Sequence, residues 1–215
     1  NGTDSGHVRV YQWNGTVWTQ LGSDIDGEAA VNNSGWSVAL SSDGSIVAIG
    51  AIFNNGNVGS LGHVRVYQYS EQSETWTQVG GDIDGEATDD WSGYSVALSA
   101  DGTIVAIGAT KNDSNGTESG HVRVYQRDVS NTTVAPVGWT QLDSDIDGEA
   151  HGDKSGQSVA LSSDGTIVAI GANENDGNGY KSGHVRVYTI NTLLDTDRDG
   201  VADFYDHAPN DPKIT

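Results

Sequence analysis

Residues Ser34–Ala51 read SGWSVALSSDGSIVAIGA, two runs of apolar and small residues joined by Ser-Asp-Gly. Runs this short, rich in Val and Ile and bounded by a turn signal, read as strands. Asp-Gly between them marks a tight antiparallel hairpin. The apolar residues are nearly continuous, so both strands are expected to be covered on both faces. The stretch returns as SGYSVALSADGTIVAIGA at Ser92–Ala109 and as SGQSVALSSDGTIVAIGA at Ser155–Ala172.

Working outward, GHVRVY begins at Gly6, Gly62, Gly120 and Gly183, at intervals of 56, 58 and 63 residues. The phrase WTQLGSDIDGEA at Trp18–Ala29 has counterparts starting at Trp76 and Trp139. A unit of constant size, lengthened only in its loops, is the mark of a repeat architecture. In HVRVYQ the valines alternate with His, Arg and Tyr, so this strand has one apolar and one mixed face and lies further from the centre. WTQLG supplies a fourth strand whose Trp covers the rim of the sheet. The expected fold is all-β: a β-propeller of four-stranded antiparallel blades, with small residues on the inner strands.

The three Ser-Gly-x-Ser hairpins resemble the FG-GAP repeat of integrin α-chain propellers and their microbial and algal relatives. Ser34, Ser92 and Ser155 stand where that family has an aromatic residue, and Ile52, Thr110 and Asn173 stand where it ends on proline. Calcium-binding members carry D-x-D-x-D-G between the inner strands. Here only Asp43-Gly44, Asp101-Gly102 and Asp164-Gly165 remain, and these turns read as metal-free.

Residues 1–190 amount to about three and a half blades, beginning with the two outer strands of one and stopping after the third strand of another. Propellers generally need four to eight blades to close, and uncovered sheet edges are avoided. The missing blades are therefore expected from other segments of a larger parent or from other copies of the chain. No initiator Met or signal segment is present, so the chain reads as a processed product or a fragment.

Residues 191–215 form a second segment of different character. In DTDRDGVADFYD, Asp195, Asp197, Asp199, Asp203 and Asp206 take positions 1, 3, 5, 9 and 12 of a calcium loop. Gly200 is at position 6, and Val201 lends its carbonyl at position 7. Five carboxylates within twelve residues repel unless a hard cation sits among them, which makes Ca2+ the expected cofactor. The spacing resembles the thrombospondin type 3 repeat, with Ala208 in place of its Cys, so a structural clip is implied.

The carboxylates of the repeats gather in DIDGEA: Asp24, Asp26 and Glu28, then Asp82, Asp84 and Glu86, then Asp145, Asp147 and Glu149. Two readings stand, solvated turns that cap backbone amides or shallow cation sites. His7, His63, His121 and His184 occupy one slot with Arg9, Arg65, Arg123 and Arg186 two residues on, and are expected to hydrogen-bond between blades. Asn1, Asn14, Asn32, Asn112, Asn115 and Asn131 begin N-x-Ser/Thr sequons, candidate N-glycosylation sites.

A net charge of −20, from 30 acidic and 10 basic residues, repels nucleic acid and anionic lipid. No run reaches the length of a membrane span, and the absence of Cys removes disulfides and thiolate chemistry. Ser37, Ser95 and Ser158 recur as strand starts, and no spacing offers a nucleophile–base pair, so no enzyme is expected. What remains is a non-enzymatic extracellular or cell-surface adhesion and scaffold module that binds calcium and contacts protein partners. The alternative is a glycan-binding propeller, for which Trp36 and Trp91, read as one slot taken by Gln157 in the third copy, come closest to a repeated aromatic platform.

Overall fold

The computed structural model describes residues 2–54 and 60–190, which hold seventeen strands and no helix. The first blade is partial, made of β1 (His7–Val8), β2 (Tyr11–Trp13), β3 (Trp18–Gln20) and β4 (Ile25–Asp26). The second is complete: β5 (Ser37–Leu40), β6 (Ile46–Ala51), β7 (His63–Ser70), β8 (Thr75–Gln78) and β9 (Ile83–Asp84). The third repeats it as β10 (Ser92–Leu98), β11 (Ile104–Ala109), β12 (His121–Arg127), β13 (Trp139–Gln141) and β14 (Ile146–Asp147). The fourth has β15 (Ser158–Leu161), β16 (Ile167–Ala172) and β17 (His184–Thr189). All ladders between strands are antiparallel, in the order β5-β6-β7-β8 and β10-β11-β12-β13. This is a propeller-like arrangement of about three and a half blades.

One element departs from the sequence reading. Where the sequence reading placed only a turn after WTQLG, there is a further short strand: Trp139–Gln141 pairs with the end of β12, and Ile146–Asp147 pairs separately with its beginning. The second blade does the same with β8 and β9 on β7. Ile-Asp therefore belongs to the sheet, and its ladder sets Asp84 opposite His63 and Asp147 opposite His121.

The inner hairpins close locally. Asp43 accepts bonds from the Ser41 hydroxyl at 2.7 Å and the Ser45 amide at 2.9 Å, while the Ser41 oxygen accepts the Ile46 amide. Asp101 and Asp164 repeat the pattern. Each carboxylate is thus engaged in ordering its own turn.

Between blades the core is continuous. Val64 and Val66 pack with Val105 and Ile107 of the next blade, and Val122 and Val124 with Val168 and Ile170. The glycine of GHVRVY sits where backbones meet. Gly62 and Gly120 have φ near +70°, bridge to Ser92 and Ser155 of the following blade, and a Cβ on either would overlap that serine's carbonyl. Only glycine combines that dihedral with that approach.

The outer tryptophans reach across blades. Trp76 donates Nε1–H to the Leu21 carbonyl at 2.9 Å and Trp139 to that of Val79 at 3.1 Å. Trp18, with no preceding blade among the described residues, is 66% exposed and rests on Trp13.

Candidate functional site

Polar side chains cluster at the junction between the first and second blades and again between the second and third. Each is built from the phrase that opens one blade's third strand and from two DIDGEA turns. His63 and His121 start β7 and β12 and are fully buried. Gly27 and Gly85 let the turn of the preceding blade press against the Ser5 and Leu61 carbonyls, where a Cβ would collide. The following Glu28 and Glu86 then face the next blade.

Arginine ties the junction. Arg65 lies 3.2 Å from Glu28 and donates to the Asp26 carbonyl at 3.4 Å. Arg123 lies 3.7 Å from Glu86 and donates to the Asp84 carbonyl at 2.7 Å. Gln78 and Gln141 each hold one oxygen of Asp82 and Asp145 at 2.7 Å. These bonds leave Asp82 Oδ2 and Asp145 Oδ2 each 3.6 Å from a histidine Nδ1.

The sequence reading expected the histidines to hydrogen-bond across blades. Instead the arginines do so, and Nδ1 of His63 and of His121 is buried without a hydrogen-bond partner. Asp84 Oδ1 and Asp147 Oδ1 each stand 3.9 Å from those atoms, and Asp147 Oδ1 is itself buried and unpartnered. Burial holds both histidines down to about 4, with Asp82 or Asp145 opposing the shift and the neighbouring Arg adding to it, so both rings are neutral at pH 7. Burial, then the crowding of Asp82 and Asp145, raises Asp84 and Asp147. Glu86 is raised by burial against Arg123, with Asp145 adding to the rise.

Glu28, His63 and Asp82, and likewise Glu86, His121 and Asp145, bring their ligand atoms within 4.8 Å of one another. Either group could hold a metal ion. Spacing along the chain hid them, because the Glu comes from one repeat and the His and Asp from the next.

A second feature is a row of aromatic rings. Phe53 meets Trp91 edge-on at 5.5 Å, Trp91 stacks on Tyr94 at 6.3 Å, and Tyr94 leans on Trp36 at 5.7 Å. Lys111 Nζ sits 3.8 Å above Trp91. Trp36 and Trp91 do not share a slot: strand pairing aligns Ser37, Ser95 and Ser158, so Trp36 corresponds to Tyr94 and Gln157. Trp91 corresponds to Asn33 and Lys154, all three with positive φ.

Asp195, Asp197, Asp199, Val201, Asp203 and Asp206 lie outside the described residues, as does Asn1. Of the other sequons, Asn32 and Asn112 are buried, and Asn112 Nδ2 donates to Asp90 at 3.0 Å. Asn115 and Asn131 donate Nδ2 to backbone carbonyls at 2.8 Å. Asn14 is exposed on the β2–β3 hairpin.

Among solved structures, the chain is similar to a candidate 6-phosphogluconolactonase from Bacteroides uniformis, with 11% identity and a TM-score of 0.57 over 88% of this chain and 46% of that one. A second, from Bacteroides fragilis, shares 14% identity with a TM-score of 0.45 over 66% of this chain and 33% of that one. The chain thus spans under half the length of either. At this identity the likeness is one of fold.

It nonetheless overturns the expectation that the chain is no enzyme. The Bacteroides uniformis chain, described as a candidate 6-phosphogluconolactonase, shares this fold. The lack of a nucleophile–base pair along the sequence therefore excludes nothing. No curated protein matches the chain. The family model described as the FG-GAP repeat matches residues 83–125 and 144–188, each match running from the outer Ile-Asp region of one blade to the Tyr of the next blade's third strand.

Proposed function

We propose that the chain is an extracellular protein-contact module, a run of propeller blades whose uncovered flanks are completed by sister blades in an adhesive or structural assembly. One observation carries this reading. Val122 and Val124 on β12 are 0% and 3% exposed against the fourth blade, whereas the equivalent Val185 and Val187 on β17 are 68% and 64% exposed. At the other flank Val38 and Leu40 are open. They lie on the face of β5 opposite Ser37, whose hydroxyl bonds the third blade at Gly93. Covering each such side chain is worth about 1–2 kcal/mol, enough to favour association through these faces.

FG-GAP repeats accord with an extracellular protein-interaction role, and the acidity of the chain accords with a saline medium. The Asp195–Asp206 segment would contribute Ca2+-dependent rigidity at the end of the blades. The test is the particle mass by analytical ultracentrifugation, in calcium and then in chelator. Association beyond the 22.5 kDa monomer is expected, and Val185→Asp with Val187→Asp should reduce it. A monomer at about 100 μM in calcium would overturn the reading.

A second reading, glycan binding, is favoured by the aromatic row Phe53–Trp91–Tyr94–Trp36, since sugar faces stack on such rings. Glycan-array signal lost in Trp36→Ala with Trp91→Ala would select it.

A further inference from the structure

We propose that each of the two blade junctions binds one divalent cation of borderline softness, Zn2+ in class, through Glu28, His63 and Asp82 at the first and Glu86, His121 and Asp145 at the second. The carboxylates alone would not point to an ion, since acidic clusters are common on a chain of this charge. The buried histidines do. Nδ1 of each is enclosed, has no hydrogen-bond partner, and faces carboxylate oxygens at 3.6–3.9 Å. A buried polar atom left unpaired is costly. Two at one place, His121 Nδ1 and Asp147 Oδ1, 3.9 Å apart, call for something between them.

The charge balance points the same way. Around His63 stand Glu28, Asp82 and Asp84 against Arg65, with Arg123 of the next blade at the Asp84 carbonyl, and around His121 stand Glu86, Asp145 and Asp147 against Arg123, with Arg186 at the Asp147 carbonyl. Each junction remains net negative, as a cation site requires. The donor set selects the ion. An imidazole nitrogen with carboxylates suits Zn2+, Co2+ or Ni2+, whereas Ca2+ and Mg2+ take oxygen donors. Bonds of about 2.0–2.2 Å set neighbouring tetrahedral donors about 3.4 Å apart, close to the 3.6 Å between His63 Nδ1 and Asp82 Oδ2.

Several contacts orient the proposed ligands as outer partners do at a working metal site, Glu28 being held at Oε1 by Arg65 and at Oε2 by Asn54. Gln78 and Gln141 fix Oδ1 of the two aspartates. Arg123 takes Oε1 of Glu86 and leaves Oε2 3.9 Å from His121. A cleft of about 710 Å3 is lined by Asp82 and Asp84 of the first junction together with Arg123. Because the Glu belongs to one blade and the His and Asp to the next, the ion would staple consecutive blades. The third junction has only His184 and Glu149, 3.5 Å apart, and lacks the aspartate among the described residues.

The experiment is Zn2+ titration of the full chain by calorimetry, with Co2+ absorption as an optical readout of nitrogen ligation. Two sites per chain are expected, resistant to millimolar Ca2+. His63→Ala and His121→Ala should each remove one, and zinc at a hundredfold its Kd should shift the folding equilibrium about 100-fold per occupied site. Should a histidine variant misfold, Asp82→Asn and Asp145→Asn keep the shape, and each should weaken its site at least tenfold. No binding to the folded wild-type chain at 1 mM Zn2+ overturns the proposal. So does binding that survives both folded histidine variants, or both aspartate variants, undiminished, because the ion then sits elsewhere.

Discussion

Strands β12 and β17 share the residues HVRVY and pair with inner strands of the same sequence, yet one is buried and the other open. Their ladders are alike, so neither hydrogen bonding nor propensity separates them. What differs is that, among the described residues, β12 has a blade on each side and β17 on only one. The apolar side chains of a propeller strand are therefore potential core, made actual by the neighbouring sheet. The glycines teach the same lesson. Gly120 presses on the next blade at Ser155, whereas a Cβ on Gly183, with almost the same φ, would first meet Asn173 of its own blade, at 3.1 Å.

The sharpest way to break this comparison is to charge the same position twice. Val122→Asp should cost about 4 kcal/mol or more in urea unfolding, because it buries a carboxylate without a partner. Val185→Asp should stay within about 0.5 kcal/mol for the monomer. Equal losses would mean that β17 is covered in solution.

A smaller effect is expected at the glycines. Gly120→Ala should cost about 2–4 kcal/mol, combining a left-handed backbone with collision against a carbonyl. Gly183→Ala should cost less, about 1–2 kcal/mol, from the left-handed backbone and a 3.1 Å approach to the Asn173 carbonyl. Thermal unfolding of the two variants side by side checks the difference.

The smallest effect is expected where the blades do not differ at all. Turn hydrogen bonds from Ser41 and the Ser45 amide lower Asp43 from 3.8 to about 2, and those from Ser162 and Thr166 lower Asp164 likewise. Depressed values mean that this stabilisation is complete above about pH 4 and is lost as pH falls through 2. Asp43→Ala with Asp164→Ala should therefore flatten the decline of the melting temperature between pH 4 and pH 2. An unchanged decline would place the acid sensitivity elsewhere.

Much of the fold was legible because repetition makes errors visible: three copies of one hairpin, four of one strand. The split outer strand was not, since the residues between Gln141 and Ile146 give no turn signal stronger than those at real strand ends. The cross-blade reach of Trp76 and Trp139 was hidden because the carbonyls they bond belong to the preceding repeat. The junction clusters were hidden for the same reason. DIDGEA looked like a solvated turn, and its glutamate's real surroundings are a histidine and an arginine some forty residues ahead.

By itself the amino-acid sequence determined what is local. It set the strands, the Asp-Gly turns that join them and the recurring blade unit, because each is written in residues a few positions apart. Only the tertiary structure decided which identical valines are core, which tryptophans find a carbonyl, and which histidines are enclosed among carboxylates. Those outcomes depend on a neighbouring sheet that leaves water no access, and adjacency between sheets is a property of the tertiary packing.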